Sequence, residues 1–306
     1  MSSYADRLAA AIAAKRSRVC AGLDPRVQSL PGPLAARAAR GPEQAAAAYV
    51  EFCGAVVEAV ADFAPVVKPQ AAFFEALGPP GYKALWDVMA CARGHGLLVI
   101  LDAKRGDVGS TAAAYAQAYF EPPGGLTGPD ALTVNGYLGG DGVQPFVEAA
   151  ARTGRGIYVL AKTSNPSSGD LQDLPTDAPG GRRLVYQQMA RLIAEWGRPL
   201  VGECGYSSVG AVVGATYPAQ LAELRAGFPT VPFLVPGYGA QGGAAQDVAP
   251  AFDHTGQGAV VNSSRGIIFA YKEAPYRDQY AECEFAQAAA AAARDMRDDI
   301  NRALGV

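Results

Sequence analysis

Short apolar runs alternate along this chain with longer, alanine-rich segments of helical pattern. Each run is rich in Val, Ile and Leu, is nearly continuous rather than alternating, and ends in polar residues or glycine. Continuous apolar runs are typical of parallel strands that are covered by helices. The pattern predicts eight strands, near residues 18–23, 65–68, 97–102, 131–134, 156–161, 210–214, 231–235 and 258–262.

The segments between these runs predict helices at residues 42–63, 81–95, 111–120, 141–153, 182–196, 218–226 and 285–304, and a first amphipathic helix lies within residues 1–18. Eight alternating strands and helices predict an α/β fold, a closed (β/α)8 TIM barrel. Residues 1–306 are expected to form one such domain, since roughly 250 residues is a typical barrel length. Two longer connections stand out, at residues 163–181 and 203–209. The first follows the fifth strand, where a long loop usually serves as a lid.

Composition narrows the classes of function. Half of the residues are hydrophobic and 18% are charged, which indicates a compact fold. The net charge of −3 argues against a broadly basic surface that binds nucleic acid, so any phosphate binding must be local. The five cysteines lack CxxC spacing, and no apolar run is long enough to span a membrane. These features, with no leader pattern at the N-terminus, favour a cytoplasmic protein.

Polar side chains cluster where the predicted strands end. In a barrel of this kind the functional face is formed by the carboxyl ends of the strands. The chain places there Asp24, Lys68, Asp102, Lys104, Asn135, Ser164, Gln241 and Arg265.

Asp102 and Lys104 are two residues apart in a segment expected to be extended, so their side chains should project to the same side. Asp107 follows after a glycine that lets the chain turn. Carboxylates and ammonium groups that alternate can compensate one another in a partly dry cavity, and the lysines then stay charged. An isolated Asp-x-Lys pair would equally suit a structural ion pair at a strand end.

Residues 100–111, which include Asp102-Ala-Lys104-Arg-Gly-Asp107, resemble the signature of the orotidine 5′-phosphate decarboxylase family. The resemblance extends over nearly the whole chain and is closest to the longer bacterial branch. The other matching blocks lie at residues 22–25, 67–70, 134–141, 162–166, 213–216 and 236–243. Gly136 is one departure, because this branch often has proline there.

The resemblance implies a charged tetrad of Lys68, Asp102, Lys104 and Asp107, with no cofactor and no metal. It further implies that Asp107 and Thr111 enter the site of a neighbouring subunit, so a homodimer is expected. Asp24 and Lys68 match groups that hold the ribose, and Ser164 matches a serine on the pyrimidine. The phosphate grip matches Gln241 and Arg265, with the backbone amides of Gly242, Gly243 and Gly266. Asn135 either joins this site or packs behind it.

The implied reaction is decarboxylation of orotidine 5′-monophosphate to uridine 5′-monophosphate, the last step of de novo pyrimidine biosynthesis. Without an electron sink, negative charge must collect at C6 of the pyrimidine. A fixed ammonium can stabilise that charge and supply the proton, which assigns both tasks to Lys104.

Other functions remain to be weighed against this one. A magnesium-dependent sugar-phosphate decarboxylase or hexulose-phosphate synthase would share the Asp-x-Lys-x-x-Asp pattern, but it would need an acidic metal ligand where this chain has Lys68. A non-catalytic nucleotide-binding barrel would be expected to have lost part of the tetrad. His95 and His254 lack ligand partners at metal-binding spacing, and no serine has a candidate histidine base.

Overall fold

The computed structural model describes residues 2–178, 180–239 and 243–306. Within them the strands are β1 (Val19–Leu23), β2 (Val66–Pro69), β3 (Leu98–Arg105), β4 (Ala131–Val134), β5 (Gly156–Lys162), β6 (Pro175–Ala178), β7 (Gly181–Leu184), β8 (Val209–Val213), β9 (Phe233–Pro236) and β10 (Ala259–Ser263).

Eight of these strands form a closed parallel barrel in the order β1-β10-β9-β8-β5-β4-β3-β2. Each of the eight coincides with a predicted strand to within three residues at either end. The predicted (β/α)8 barrel is therefore confirmed. Its strands are buried on both sides, which is why they read as continuous apolar runs in the sequence.

The helices cover the outside of the barrel. In the described residues they are α1 (Tyr4–Lys15), α2 (Gly32–Ala38), α3 (Pro42–Val60), α4 (Ala71–Glu75), α5 (Pro79–Gly94), α6 (Gly109–Phe120), α7 (Gly140–Thr153), α8 (Gly169–Gln172), α9 (Val185–Gly197), α10 (Pro218–Gly227), α11 (Ala245–Val248), α12 (Arg265–Ile268) and α13 (Phe285–Leu304). None of them is both long enough and apolar enough to cross a membrane.

The N-terminal helix α1 closes one end of the barrel. Its buried residues Tyr4, Leu8 and Ile12 pack in one cluster with the side chains of the barrel interior. The Tyr4 hydroxyl donates to that of Tyr158 on β5 at 3.2 Å. Gly156 makes room for the ring, since a Cβ there would lie 2.3 Å from Tyr4 Cδ1. The connection before β8 docks at the same end, where the amide of Cys204 donates to Asp6. A ligand must therefore enter from the carboxyl ends of the strands.

The segment after β5 differs from the prediction. Its second half is an antiparallel hairpin in which β6 pairs with β7, and Thr176 lies opposite Arg183. Residues 182–184 were expected to begin a helix, and that expectation is wrong, because they form β7 and α9 begins only at Val185. Two arginines in an exposed strand carry too little apolar pattern to indicate a strand from sequence.

Candidate active site

The carboxylate of Asp102 is the centre of the polar residues at the open end of the barrel. Its Oδ2 accepts hydrogen bonds from Lys68 Nζ at 2.8 Å and from Gln70 Nε2 at 3.0 Å. Its Oδ1 accepts from Lys104 Nζ at 2.5 Å and from Thr133 Oγ1 at 2.9 Å. Two ammonium groups, an amide and a hydroxyl thus surround one carboxylate, which satisfies its acceptor capacity.

Burial makes this ion pair a tightly coupled one. Lys68 and Asp102 have side chains that are only 5% and 10% exposed, whereas the side chain of Lys104 is 46% exposed. Burial by itself would lower the pKa of Lys68, but the carboxylates of Asp102 and Asp24 outweigh it and raise that pKa. Burial likewise opposes ionisation of Asp102, yet Lys68 and Lys104 hold its pKa far below the usual range. Lys68 and Asp102 are therefore both charged near neutral pH.

Lys104 reaches Asp102 by a different route from the one expected. Its φ of +47° is left-handed, so the segment is not regularly extended. The register of β3 on β4 shifts at this point, because residues 102–104 lie opposite Thr133 alone. The two side chains converge as predicted, but they do so through a bulge.

Two adjoining cavities open beside this charged centre, and both are lined by Lys68, Asp102 and Pro236. The first, of about 250 Å³, has Lys104 and Ser164 on its polar side and an apolar wall of Leu160, Val212, Leu234 and Pro236. The second, of about 380 Å³, is also lined by Asp24, Arg26, Gln70, Gly237, Tyr238, Asn262, Ser264 and Arg265. The described lining of the two cavities carries four cationic and two anionic side chains, so it favours an anionic ligand.

Ser164 reaches the first cavity because the chain after β5 passes very close to β8. A Cβ on Gly214 would lie 2.8 Å from the Cβ of Ser164, so only glycine permits this approach. The preceding residue, Thr163, is held by Gln172, which accepts from its amide at 2.9 Å and donates to its hydroxyl at 2.8 Å.

A buried lysine anchors the same segment. Lys162 is fully buried, and its ammonium donates to both carboxylate oxygens of Asp173, at 2.8 and 2.9 Å, and to Ser168 at 3.2 Å. The rings of Tyr217 and Tyr186 lie 4.9 and 5.8 Å from it. The part of the expected lid nearest the barrel is thus a hydrogen-bonded structure.

Three of the expected residues, Asp107, Thr111 and Asn135, do not line either cavity. Asp107 is partly buried and accepts from the amide of Val108 at 2.8 Å. Within the described ranges, no hydrogen bond or ion pair joins it to Lys68, Asp102 or Lys104. Thr111 is exposed in the first turn of α6. Asn135 is exposed as well, and its Oδ1 accepts from the amide of Tyr137 at 3.0 Å in a local turn.

The expected phosphate residues are only partly described. Gln241 and Gly242 lie outside the described residues. Arg265 begins α12 and lines the second cavity. Gly266, next to it, is exposed and lines a neighbouring cavity of about 500 Å³ against α13.

Sequence reasoning gave no individual role to several residues of the described site, among them Gln70, Thr133, Arg26 and Asn262. Thr133 and Asn262 are polar residues inside otherwise apolar strands, and that interruption was a usable signal. Gln70 follows β2 directly and lies in the matching block at residues 67–70, but no role of its own was predicted for it. Arg26 lies on the loop after β1, and its guanidinium is 4.9 Å from the ring of Phe73. The two residues are distant in the sequence, so no local pattern predicts this contact.

The donor atoms of this site do not suit a metal ion. Where a metal-dependent relative would need an acidic ligand after the second strand, the chain has Lys68, whose ammonium is bonded to Asp102. In the part of the chain that the structure describes, no group of three or more His, Cys, Asp or Glu is arranged to hold a metal.

A closed parallel barrel with charged residues at the carboxyl ends of its strands defines a (β/α)8-barrel enzyme. The model of the orotidine 5′-phosphate decarboxylase / HUMPS family matches residues 17–277, and the chain belongs to that family.

Individual proteins similar to this chain are named as members of the same family. Relatives named orotidine 5′-phosphate decarboxylase include one from Rhodopirellula baltica, 48% identical over 98% of this chain and 99% of its own length. Another, from Deinococcus radiodurans, is 45% identical over 95% and 94%. The solved structure of Leishmania donovani OMP decarboxylase is 35% identical, with a TM-score of 0.75 over 99% of this chain and 100% of that chain.

The activity of the chain is accordingly decarboxylation of orotidine 5′-monophosphate to uridine 5′-monophosphate and CO₂. This is the last step of pyrimidine biosynthesis, and the enzyme is a carboxy-lyase. The metal-dependent and non-catalytic alternatives are not favoured.

The coupled pair makes stability depend on pH in a defined direction. Asp102 has a depressed pKa, so it contributes stability above its ordinary value of 3.8, and this is lost as pH falls through the folded value. We expect Asp102→Asn to lower the free energy of unfolding by about 3 kcal/mol near neutral pH, since Lys68 loses a buried partner. The penalty should shrink as the pH falls below 3.8. Lys68 keeps its charge across this range, because its pKa is raised.

Urea titrations at several pH values measure this penalty. Asp87→Asn serves as a control, because Asp87 pairs with Lys83 on the exposed face of α5. Its penalty should be small at every pH. A penalty for Asp102→Asn that stays constant down to pH 3 would contradict the expectation.

Proposed function

We propose that this chain decarboxylates orotidine 5′-monophosphate without metal or cofactor, with Lys104 as the group that stabilises the developing carbanion and then protonates it. The observation that carries the proposal is the placement of Lys104: its ammonium is bonded to Asp102, and its side chain lines the first cavity. The apolar wall of that cavity suits the face of a pyrimidine ring, and Ser164 lies beside it to contact the polar edge of the ring.

The proposed step breaks the bond between C6 and the carboxylate carbon. The electron pair stays on C6 as CO₂ leaves, and the proton from Lys104 Nζ forms the new C6–H bond. Lys104 is then neutral and regains a proton from water, which reaches its half-exposed side chain. Asp102 is held ionised by its two lysines and lies beside the departing carboxylate. Its repulsion of that group raises the energy of the bound substrate.

The second cavity is proposed to hold the ribose and the phosphate. Asp24 and Lys68 lie on its wall, and the buried Oδ1 of Asp24 accepts no hydrogen bond from the described residues. A ribose hydroxyl can supply that donor. Arg265, with Gln241 and the backbone amides of Gly242 and Gly266, is proposed to bind the phosphate. A phosphate carries a charge of about −2, which matches the excess of cationic side chains around the two cavities.

The loops at residues 163–181 and 237–243, of which residues 179 and 240–242 lie outside the described ranges, are proposed to close over the bound phosphate. Closure would exclude water and convert phosphate binding into catalysis at the pyrimidine. The bonds from Lys162 to Asp173 and Ser168 keep the base of the first loop fixed while its outer part moves.

A homodimer with shared sites is the proposed assembly. Asp107 lies outside the bonded charge network of its own barrel, and exposed apolar side chains lie next to it in the sequence and on the segments that follow β4 and begin α6. Val108, Tyr137 and Leu138 are 48%, 72% and 49% exposed, and Tyr115 follows Thr111 by one turn of α6. Such a patch marks a contact surface. Asp107 and Thr111 of one subunit are therefore proposed to complete the ribose side of the other's site.

The chain is proposed to act as one barrel domain in the cytoplasm. All five cysteines are free thiols, and Cys20 and Cys53 are buried. This usage fits a reducing compartment.

Purified protein should consume orotidine 5′-monophosphate equally well with and without EDTA, because the proposed step uses only side chains of the chain. Loss of pyrimidine absorbance measures turnover. Turnover that EDTA abolishes, and that added Mg²⁺ restores, would contradict the metal-free mechanism.

Replacement of Lys104 by alanine should remove decarboxylation while the variant still folds and binds uridine 5′-monophosphate. The reason is that Lys104 supplies the proton, whereas Asp24, Lys68 and Arg265 hold the rest of the nucleotide. Turnover and product binding by calorimetry are the measurements, and Lys83→Ala on the surface is the control. Near-normal turnover by Lys104→Ala would remove Lys104 from its role.

Mixed dimers test the shared site. Lys104→Ala and Asp107→Ala should each be inactive alone. Subunits that are mixed, unfolded and refolded together should recover roughly a quarter of wild-type activity, since half of the dimers are mixed and each has one intact site. Lys104→Ala mixed with Asp102→Asn is the control and should recover nothing, because both residues serve their own barrel. Equal recovery in the two mixtures, or none in either, would contradict the arrangement.

A further inference from the structure

The hydroxyl of Thr133 makes three hydrogen bonds to three consecutive residues of β3. It accepts from the amide of Ala103 at 3.0 Å and from the amide of Lys104 at 2.9 Å. It donates to Asp102 Oδ1 at 2.9 Å. A hydroxyl has one donor and two acceptor lone pairs, so this one is fully used by two main-chain amides and one side-chain carboxylate of β3.

The register of the barrel explains why these bonds come from a side chain. Leu101 pairs with Leu132 and Arg105 pairs with Val134, so three residues of β3 lie opposite Thr133 alone. A bulge of this kind leaves backbone groups without their ladder partners. The amides of Ala103 and Lys104 bond to the Thr133 hydroxyl, and Thr133 is only 1% exposed, which keeps water from replacing it.

The bulge also contains a strained residue. Lys104 has a φ of +47°, a left-handed conformation that costs a residue with a side chain roughly 1–2 kcal/mol. Such a conformation persists only where its surroundings hold it. The Thr133 hydroxyl bonds the amide of Lys104 itself and the carboxylate that receives the Lys104 ammonium. One atom therefore fixes the main chain of the lysine and its ion-pair partner together.

We propose that Thr133 is a positioning residue for this reaction: its hydroxyl holds the bulge at residues 102–104 in the form that aims Lys104 into the cavity. The inference rests on the proposed role of Lys104 as proton donor. It goes beyond that role by naming the group that sets the lysine's direction.

The expected kinetic effect falls on kcat rather than on KM. The groups of the same chain that are proposed to bind ribose and phosphate follow β1, lie on β2 or follow β9 and β10, and the other ribose groups are proposed to come from the second subunit. The described hydrogen bonds of the Thr133 hydroxyl go to none of them, only to residues 102–104. Loss of the hydroxyl should therefore misplace Lys104 and leave most of the binding energy in place. A misplacement of about 1 Å is sufficient to lower a rate by about 100-fold.

The decisive comparison is between Thr133→Val and Thr133→Ser. Valine keeps the shape and removes all three hydrogen bonds, whereas serine keeps the hydroxyl and loses only a methyl group. We expect Thr133→Val to lower kcat by about 100-fold and to change KM by less than about threefold. Thr133→Ser should stay within about fivefold of the wild-type kcat.

Three further variants make the test specific. Thr133→Cys, which keeps a small polar group but forms only weak hydrogen bonds, should resemble the valine variant and decides the question if valine prevents folding. Thr153→Val removes a hydroxyl that donates to Ala149 within α7 and that has no described hydrogen bond to residues 102–104, so it should leave kcat unchanged. Lys104→Ala, assayed in parallel, reports on the proposed function itself.

The proposal is overturned if the variant without a normal hydroxyl keeps kcat within about threefold of wild type. It is also overturned if serine is as slow as valine or cysteine, or if KM rises as much as kcat falls. An active Lys104→Ala enzyme would instead overturn the proposed proton donor, so the two failures are distinguishable.

Discussion

The site depends on keeping one carboxylate ionised in a place where burial opposes charge. Asp102 is 93% buried as a residue, and it stays charged because Lys68 and Lys104 bond its two oxygens from opposite sides. Neither lysine could be removed without leaving a buried charge short of a partner, which costs more than an ordinary surface pair. Strands β2 and β3 must therefore end side by side, as they do in the parallel register that pairs Val67 with Val99 and Gln70 with Asp102.

Lys162 is a second buried charge that is stabilised by a partner of opposite charge. This lysine is even more deeply buried than Lys68, and it is compensated by Asp173, which comes from the segment that follows β5. The compensation differs in one respect. The partners of Lys68 lie on the barrel itself, whereas Asp173 lies eleven residues along a connecting segment. One buried lysine consequently fixes the charged centre, and the other fixes the root of a segment that borders the cavity.

The barrel strands and the central charged residues of the site could be predicted from the sequence. Continuous apolar runs predicted the eight barrel strands, because a strand buried on both faces must be apolar throughout. The polar residues after those runs predicted Lys68, Asp102 and Lys104 as neighbours, since parallel strands present their carboxyl ends together. The same strand-end position predicted Asp24, Ser164 and Arg265, which line the two cavities, and the family resemblance added their expected roles.

Other features could not be read in the same way. The hairpin of β6 and β7 is exposed and polar, so it has no apolar period to detect. The left-handed Lys104 depends on how three residues of β3 fit opposite one residue of β4, and a register shift between distant segments leaves no local pattern. Thr133 is visible in the sequence as a polar residue inside an apolar strand, but the role proposed for it depends on the bulge that it faces. Gln241 and Gly242 lie outside the described residues, so their expected part in binding phosphate stays a prediction.

The charge balance of one barrel also bears on the expected tetrad of Lys68, Asp102, Lys104 and Asp107. Within the described residues, Asp102 already has two ammonium partners, while Lys104 is bonded to a single carboxylate and is half exposed. A second carboxylate is therefore best accommodated on the exposed side of Lys104. Asp107 of the same chain does not bond there in this structure; its Oδ1 accepts from the amide of Val108. The carboxylate that we propose another subunit supplies fits there without disturbing the buried pair, and the unequal burial of the two lysines is the ground for proposing a composite site.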